Sequence, residues 1–296
     1  SLHLIWTANS SLAAFPIMYA GTEEQKQCIL PKIAKGEILG CYALTEPNAG
    51  SDARSMKTKA SWNGVWWTLN GTKTFITNAL NASIAIVFAG VEEEGIGAFI
   101  LASPLPGLKY DGVSVRYLPK HVLKSSDFCE ISFDNVVIPK RALLHGDGWG
   151  IAMKTLDGGR INIAAQAIGM AMWFVDEVEK YMKMRKQFGR AIWENQKPQF
   201  DCVDAYAQLE AAWSHVIVAA EKRDRGEDFT KAASEAKLIA SETAGKVAYR
   251  LYECFGGMFF TQETHWLPRF MDILPTRVYE GSNNIQRMVI AKHIGK

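Results

Sequence analysis

The sequence has no closely spaced pair of cysteines. Its five, Cys28, Cys41, Cys129, Cys202 and Cys254, stand far apart, which fits neither a disulfide framework nor a zinc ribbon. They are expected to be reduced and mostly buried. The six histidines are equally scattered, with no HExxH or HxxxH spacing to set two ligands on one helix face, so no metal site is expected. Long apolar runs are missing too: the best candidates, such as Ile84 to Ala89, are short and strand-like, well under the length that spans a bilayer. No charge of one sign dominates. The net charge is +2 and the basic residues are spread along the chain, which gives no reason to expect a nucleic-acid partner. Two nucleotide cradles are also lacking. Gly95-Ile96-Gly97 has neither the third glycine nor the strand-to-helix setting of a dinucleotide fingerprint, and Gly71-Thr72-Lys73-Thr74 lacks the first glycine of a P-loop. The chain opens at Ser1 without a charged-then-apolar stretch, so a targeting segment is expected to have been removed or never to have existed.

What is present is ample apolar material: 48% of 296 residues, enough for a large core and one or two domains. Residues 1–36 carry apolar positions at helical spacing. Thr22 before the run Glu23-Glu24-Gln25 predicts a capped helix start, and Pro16 and Pro31 are expected to break the region into short helices. From Gly40 the pattern turns to short β-branched and aromatic segments: 41–44, 65–69, 84–88, 98–101 and 128–133. Asn63-Gly64 and Asn70-Gly71 predict tight hairpins, because both residue types reach positive φ at little cost. After Pro139 the period becomes helical. Leu156, Ile163, Ala167, Met170, Phe174, Val178 and Tyr181 form one stripe; Val203, Tyr206, Glu210, Trp213, Ile217 and Ala220 a second; Ala236, Ile239, Thr243 and Val247 a third. A shorter helix is expected near Ile285. The fold class predicted is α+β multidomain, without the βαβ alternation of a parallel sheet. It comprises a partial N-terminal helical segment at 1–38, a central β-barrel or sandwich at 39–142 and a C-terminal four-helix bundle at 143–296.

Four segments carry candidate chemistry. Leu44-Thr45-Glu46-Pro47-Asn48-Ala49-Gly50-Ser51-Asp52 leaves a strand with hydroxyls and backbone donors in one loop, suited to a flavin or phosphate, or simply to a polar turn. In Asn70 to Asn78, alternation puts Phe75 and Thr77 on one side of a strand, which serves a ligand or plain packing. Arg185-Lys186-Gln187-Phe188-Gly189 ends a long helix with a cation and an aromatic; basic residues there also complement the helix dipole. Val278-Tyr279-Glu280-Gly281-Ser282 sets a carboxylate just ahead of a helix, which by itself reads equally as capping.

Together and in this order, the four segments resemble the acyl-CoA dehydrogenase family over essentially the whole chain. The resemblance implies FAD as cofactor, with Thr45 and Thr77 at the isoalloxazine ring and Ser51 near phosphate or pantetheine. Phe75 would flank the ring where many members have Trp. Tyr42, Leu44 and Gly50 join this flavin set; Arg185, Phe188, Glu253, Gly257, Ser282 and Asn284 are implied as FAD contacts, those of Arg185 and Phe188 reaching the FAD of a neighbouring subunit. Asp157 and Arg160 match the stretch lining the acyl-CoA channel, and Ser51, Tyr279 and Gly281 complete the implied substrate set. Glu280 is implied as the base. An α-proton beside a thioester is a weak acid, so its base must be a carboxylate whose pKa burial has raised. Donors to the thioester carbonyl, in the family the base residue's own N–H and a flavin ribityl hydroxyl, steady the developing enolate. Some branches place the base just before the arginine matching Arg160; here that residue is Gly159, which leaves Glu280.

The implied reaction is α,β-dehydrogenation of an acyl-CoA to a trans-2-enoyl-CoA, as in fatty acid or amino acid catabolism. Electrons would pass to electron-transfer flavoprotein, from a homotetramer or homodimer in a mitochondrial matrix or bacterial cytoplasm. Alternatives kept open are an acyl-CoA oxidase, a related elimination enzyme and a non-catalytic acyl-CoA-binding homologue. The sequence departs from the family pattern at Phe75, Glu253, Met258, Met271, Ser282 and Asn284, and His121 to Ser126 lacks the usual Gly-x-Arg. Residues 1–36 resemble only the last part of the family's N-terminal helical domain, so the chain is expected to be truncated there.

Overall fold

Thr22 caps its helix as the sequence predicts: its Oγ1 accepts from the Gln25 N–H at 3.1 Å, and its own N–H donates to Gln25 Oε1 at 2.8 Å. This reciprocal box satisfies two N–H groups that the first helical turn leaves without intrahelical partners. The structure, a computed structural model, describes residues 2–92, 95–103 and 106–295. The expected domain bounds at residues 1 and 296 lie outside the described residues. Helix α1 (Leu2–Thr7) runs through a π-helical segment (Ala8–Ala13) into α2 (Ala14–Ala20), and α3 spans Glu23–Ala34. Pro16 and Pro31 do not break this region. Pro16 lies just past the π-helical segment within this continuous helical run, and Pro31 lies within α3 near its end. The break falls at Gly21–Thr22 instead.

The strands are β1 (Gly40–Ala43), β2 (Lys59–Trp62), β3 (Trp66–Ile76), β4 (Ile84–Val91), β5 (Gly95–Ala102), β6 (Val113–Tyr117) and β7 (Cys129–Pro139). They form one sheet ordered β1-β4-β2-β3-β7-β6, with β5 also on β4. Asn63-Gly64 makes its hairpin between β2 and β3. Asn70-Gly71 does not. It lies inside β3 at a shift in register against β7, with Gly71 at φ 144° and its Cβ position 2.6 Å from the Thr58 Cα. A bulge and a close backbone approach call for the same residues as a turn. The sheet is mixed, since β4 pairs in parallel with both β1 and β2, which local patterning did not signal. β4 is apolar throughout because both of its faces are buried. Ala85, Val87 and Ala89 enter a core with Trp67, Phe99 and Ile131, while Ile84, Ile86 and Phe88 enter a second with Ile17, Tyr42 and Ala152.

The long helix α4 (Gly148–Met184) is followed by a short hairpin of β8 (Lys186–Gln187) and β9 (Arg190–Ala191), then α5 (Gln196–Asp224), α6 (Thr230–Leu251), α7 (Trp266–Ile273) and α8 (Asn283–Ile294). The described chain divides into two compact units, residues 1–159 and 160–296. In the second, Ile163, Ala167, Phe174 and Val178 of α4 are buried as the first stripe predicts. The stripe on α5 is displaced. Cys202, Ala205, Leu209, Ala212, Val216 and Ala219 are buried, whereas Val203, Trp213 and Ile217 are exposed. Small residues let helix backbones approach closely, so the alanine-rich side of α5 faces α6, whose buried side includes Ala233, Ala236, Ala240 and Ala244. The fold is mixed α+β: an N-terminal helical segment, a β-sheet domain and C-terminal helices.

Candidate active site

Within residues 1–159, the loop after β1 and the end of β3 are bound together. The Thr74 N–H donates to the Thr45 carbonyl at 2.8 Å. Beneath it Lys73, fully buried, donates to the Leu44 carbonyl at 3.0 Å and to Glu46 Oε1 at 2.7 Å. Glu46 also accepts from the Lys57 and Thr58 N–H groups. Burial pulls Lys73 down to about 8, with Glu46 acting against that fall. Burial alone would raise the Glu46 carboxyl, but hydrogen bonds from Lys73, Thr58 and Lys57 outweigh it and hold the group below its ordinary range.

Two of the four sequence segments therefore form one continuous surface. Gly50 and Ser51 are exposed on it, and Thr45 and Thr77 are half-buried. Phe75 is 56% exposed at φ 62°, stacked on Phe128 with ring centroids 5.1 Å apart. A left-handed φ at a bulky residue is costly and marks functional surface. The Tyr42 and Leu44 side chains lie in the core instead; the Tyr42 hydroxyl donates to the Ala152 carbonyl at 3.2 Å. Asp157, on α4, is buried. Accessible hydroxyls, a bare glycine and an outward aromatic ring on a rigid loop fit a flat heteroaromatic cofactor.

Residues 160–296 hold the candidate base. Glu280 and Gly281 have φ of 52° and 87°, a left-handed pair ahead of α8. Ser282 is the N-cap residue, so the Glu280 carboxylate caps nothing. Glu280 as a residue is half-buried, and its Oε2 is shut off from solvent without a hydrogen-bond partner in the protein. Burial raises its pKa to about 8, with Arg160 and then Lys237 opposing the rise. The Tyr279 hydroxyl, both polar atoms of the Gln166 side chain, Asn283 Nδ2 and Gln286 Oε1 are likewise buried without a hydrogen bond of normal geometry. Burial, then the Glu280 carboxyl, drives the Tyr279 phenol far above its ordinary value. Unpartnered buried polar groups are rare in folded proteins, and several on one loop and the helices beside it describe a surface made to meet a polar ligand.

The loop is held from behind. Lys237, on α6 and fully buried, donates to the Gly281 carbonyl and to Asn283 Oδ1, each at 2.9 Å. Gln286 Nε2 reaches the Glu280 and Gly281 carbonyls at 3.2 and 2.7 Å. Arg160 is buried, with Nη1 3.4 Å from Ser234 Oγ. Sequence reasoning missed Lys237, Gln166, Asn283 and Gln286. One signal was available: Lys237 shares the apolar stripe of α6 with Ala233, Ala240 and Ala244, and a lysine there is seldom idle.

The remaining predicted contacts lie at the surface. Helix α4 ends at Met184, and the β8–β9 turn presents Phe188, wholly exposed at φ 52°. Arg185, Glu253, Gly257 and Asn284 are exposed and Ser282 is half-buried. No group of three or more metal-ligating side chains occurs among the described residues, and no helix among them is long and apolar enough to cross a membrane.

Comparison with known proteins places the whole chain in one family. Residues 1–37, 41–136 and 146–295 match, in turn, the N-terminal, middle and C-terminal domains of acyl-CoA dehydrogenase. The chain is 38% identical to human mitochondrial short-chain specific acyl-CoA dehydrogenase, with 99% of this chain and 72% of the relative covered. The structure of butyryl-CoA dehydrogenase from Megasphaera elsdenii superposes with a TM-score of 0.95 at 38% identity, covering 99% of this chain and 77% of that one. A chain from a structure of the electron transferring flavoprotein of Acidaminococcus fermentans gives 0.94 at 38% identity, covering 98% and 77%. This chain belongs to the acyl-CoA dehydrogenase family, a group of FAD-dependent oxidoreductases.

Proposed function

We propose that Glu280 is the base that removes the α-proton from a short-chain acyl-CoA, in the FAD-dependent dehydrogenation that yields a trans-2-enoyl-CoA. The observation that carries this reading is the Glu280 carboxyl itself. Its Oε2 is shut off from solvent and lacks a protein hydrogen bond, and the residue sits on a left-handed turn. A base whose pKa lies near the working pH best combines availability with proton affinity. Bound FAD supplies the acceptor that takes the β-hydride at N5.

The chain's own residues do the rest. Thr45, Gly50, Ser51, Phe75 and Thr77 hold the flavin surface, with the buried Glu46–Lys73 pair fixing the loop that bears Thr45. Arg185, Phe188, Glu253, Gly257, Ser282 and Asn284 are further FAD contacts in this proposal; the exposed Phe188 is suited to reach a neighbouring subunit. Asp157, Arg160, Tyr279 and Gly281 line the substrate side, and the unpartnered Tyr279 hydroxyl offers a donor there. The short-chain preference rests on the specificity named for the human relative. Electron-transfer flavoprotein as acceptor rests on the Acidaminococcus structure. A homotetramer, and a matrix or bacterial cytoplasmic setting, belong to the same proposal.

The test is anaerobic mixing of the FAD-loaded protein with butyryl-CoA. Wild type should lose flavin absorbance and reoxidise slowly in air, with bleaching that gains speed as pH rises toward about 8. Glu280→Gln should keep its flavin and fail to bleach. Bleaching of that variant at the wild-type rate would refute the assignment, and fast reoxidation in air would favour an oxidase.

A further inference from the structure

We propose that Lys237 is a positioning residue for the base: a buried cation that fixes the turn carrying Glu280 and favours the ionised carboxylate. This deepens the reading of Glu280 as base and rests on it. The geometry supplies the first half. Glu280 and Gly281 occupy two successive left-handed positions, a conformation that a non-glycine residue keeps only when its surroundings enforce it. Three groups do so. Lys237 Nζ bonds the Gly281 carbonyl and Asn283 Oδ1, Ser241 Oγ, one turn along α6, also lies 3.1 Å from Asn283 Oδ1, and Gln286 closes the loop from α8. The carbonyl of the residue after the base is thus tied to a fully buried ammonium.

Burial supplies the second half. An isolated lysine is costly to bury, and among the described residues this one has two neutral oxygens as hydrogen-bond acceptors. Burial pulls Lys237 down to about 7; the Glu280 carboxylate acts against that fall, while Arg160 of α4 and Arg277 of the turn before Glu280 add to it. The other charged or titratable groups here are Tyr279, beside the base, and Asp272 of α7, which acts on Tyr279. Ionisation of Glu280 and protonation of Lys237 therefore support each other, and removing the lysine leaves Arg160 alone to oppose the burial of the carboxylate. Lys237 bonds the turn that carries Glu280 and acts through that turn and its charge.

The experiment uses FAD-loaded wild type, Lys237→Met and Asn283→Ala with butyryl-CoA. It reads flavin content, kcat, KM, the pH midpoint of kcat, and the infrared carboxyl band of Glu280 titrated without substrate. Lys237→Met should keep its flavin and lose about tenfold or more in kcat with little change in KM. Both its pH midpoint and its infrared midpoint should rise by about one unit. Asn283→Ala, which keeps the cation but removes one of its holds, should lose kcat with a smaller midpoint change. Wild-type kcat and midpoints in Lys237→Met overturn the proposal. So does a fall in kcat with unmoved midpoints, the mark of a merely structural residue. If Lys237→Met does not accumulate as folded holoprotein, Asn283→Ala decides: reduced kcat with a raised infrared midpoint and retained flavin supports the proposal, and wild-type kcat or an unmoved midpoint overturns it. Glu280→Gln run alongside separates the two claims, because bleaching in that variant overturns the base assignment whatever Lys237 does.

Discussion

Replacing Glu280 by Gln should make the protein more stable as well as inactive, and the gain should grow with pH. In the unfolded chain the carboxyl titrates at its ordinary value of 4.5, and in the folded protein burial moves it to about 8. Below 4.5 the group is protonated in both states and contributes no difference. Between the two values the folded state holds a proton that the unfolded state has released, so stability falls as pH rises. Moving a carboxyl over that range corresponds to about 5 kcal/mol when complete above pH 8, and about 3 kcal/mol of it is already lost at pH 7. Glutamine has the same shape and does not titrate. Its own burial cost is constant with pH, so the slope of the difference between the two proteins isolates the carboxylate. Thermal melts followed by circular dichroism at pH 5, 6, 7 and 8 should show the variant's advantage widening to several degrees, at roughly 2 °C per kcal/mol for a chain of this size. Parallel pH dependence of the two proteins would show that the carboxyl is not held in a dry site, and the reasoning would fail.

Three further outcomes follow from other parts of the structure. Lys73→Met leaves Glu46 buried without its cation, and breaking such a pair costs about 3–5 kcal/mol; urea denaturation should show the loss, with flavin released earlier in the titration. Gly281→Ala forces a side chain into φ 87° with its Cβ 2.8 Å from Gln286 Nε2, so kcat for butyryl-CoA should fall while flavin content holds, at a stability cost of about 1–3 kcal/mol; an unchanged kcat would show that the turn does not set the base. Phe188→Ala removes a ring that touches nothing within its own chain's core, so the melting temperature of the flavin-free protein should not move, while FAD affinity measured by fluorescence should weaken about tenfold, or about 1.4 kcal/mol.

Much of the molecule was legible because its determinants are local. The Thr22 capping box, the Asn63-Gly64 hairpin and the stripe on α4 each depend on residues within a few positions of one another. The candidate base, too, was legible as a motif, since Tyr279-Glu280-Gly281 needs no long-range contact to be seen. The misreadings share one cause. Asn70-Gly71 suits a turn and a bulge equally, and only the approach of Thr58 decides between them. The apolar face of α5 was set one residue off, because Val203, Trp213 and Ile217 point outward while Ala205, Ala212 and Ala219 pack inward beside Leu209 and Val216.

The sequence alone determined the family, because four short motifs in a fixed order rest on residue identity, and through that resemblance it singled out Glu280 and the Thr45 to Ser51 loop as candidates. The tertiary structure decided what makes them work. Lys237 lies 44 positions before Gly281 in chain order yet bonds its carbonyl, and Glu46 meets Lys73 in the same way. A pKa near 8 is not a property of glutamate but of the burial that folding imposes on it, which outweighs the opposing pull of Arg160 and Lys237.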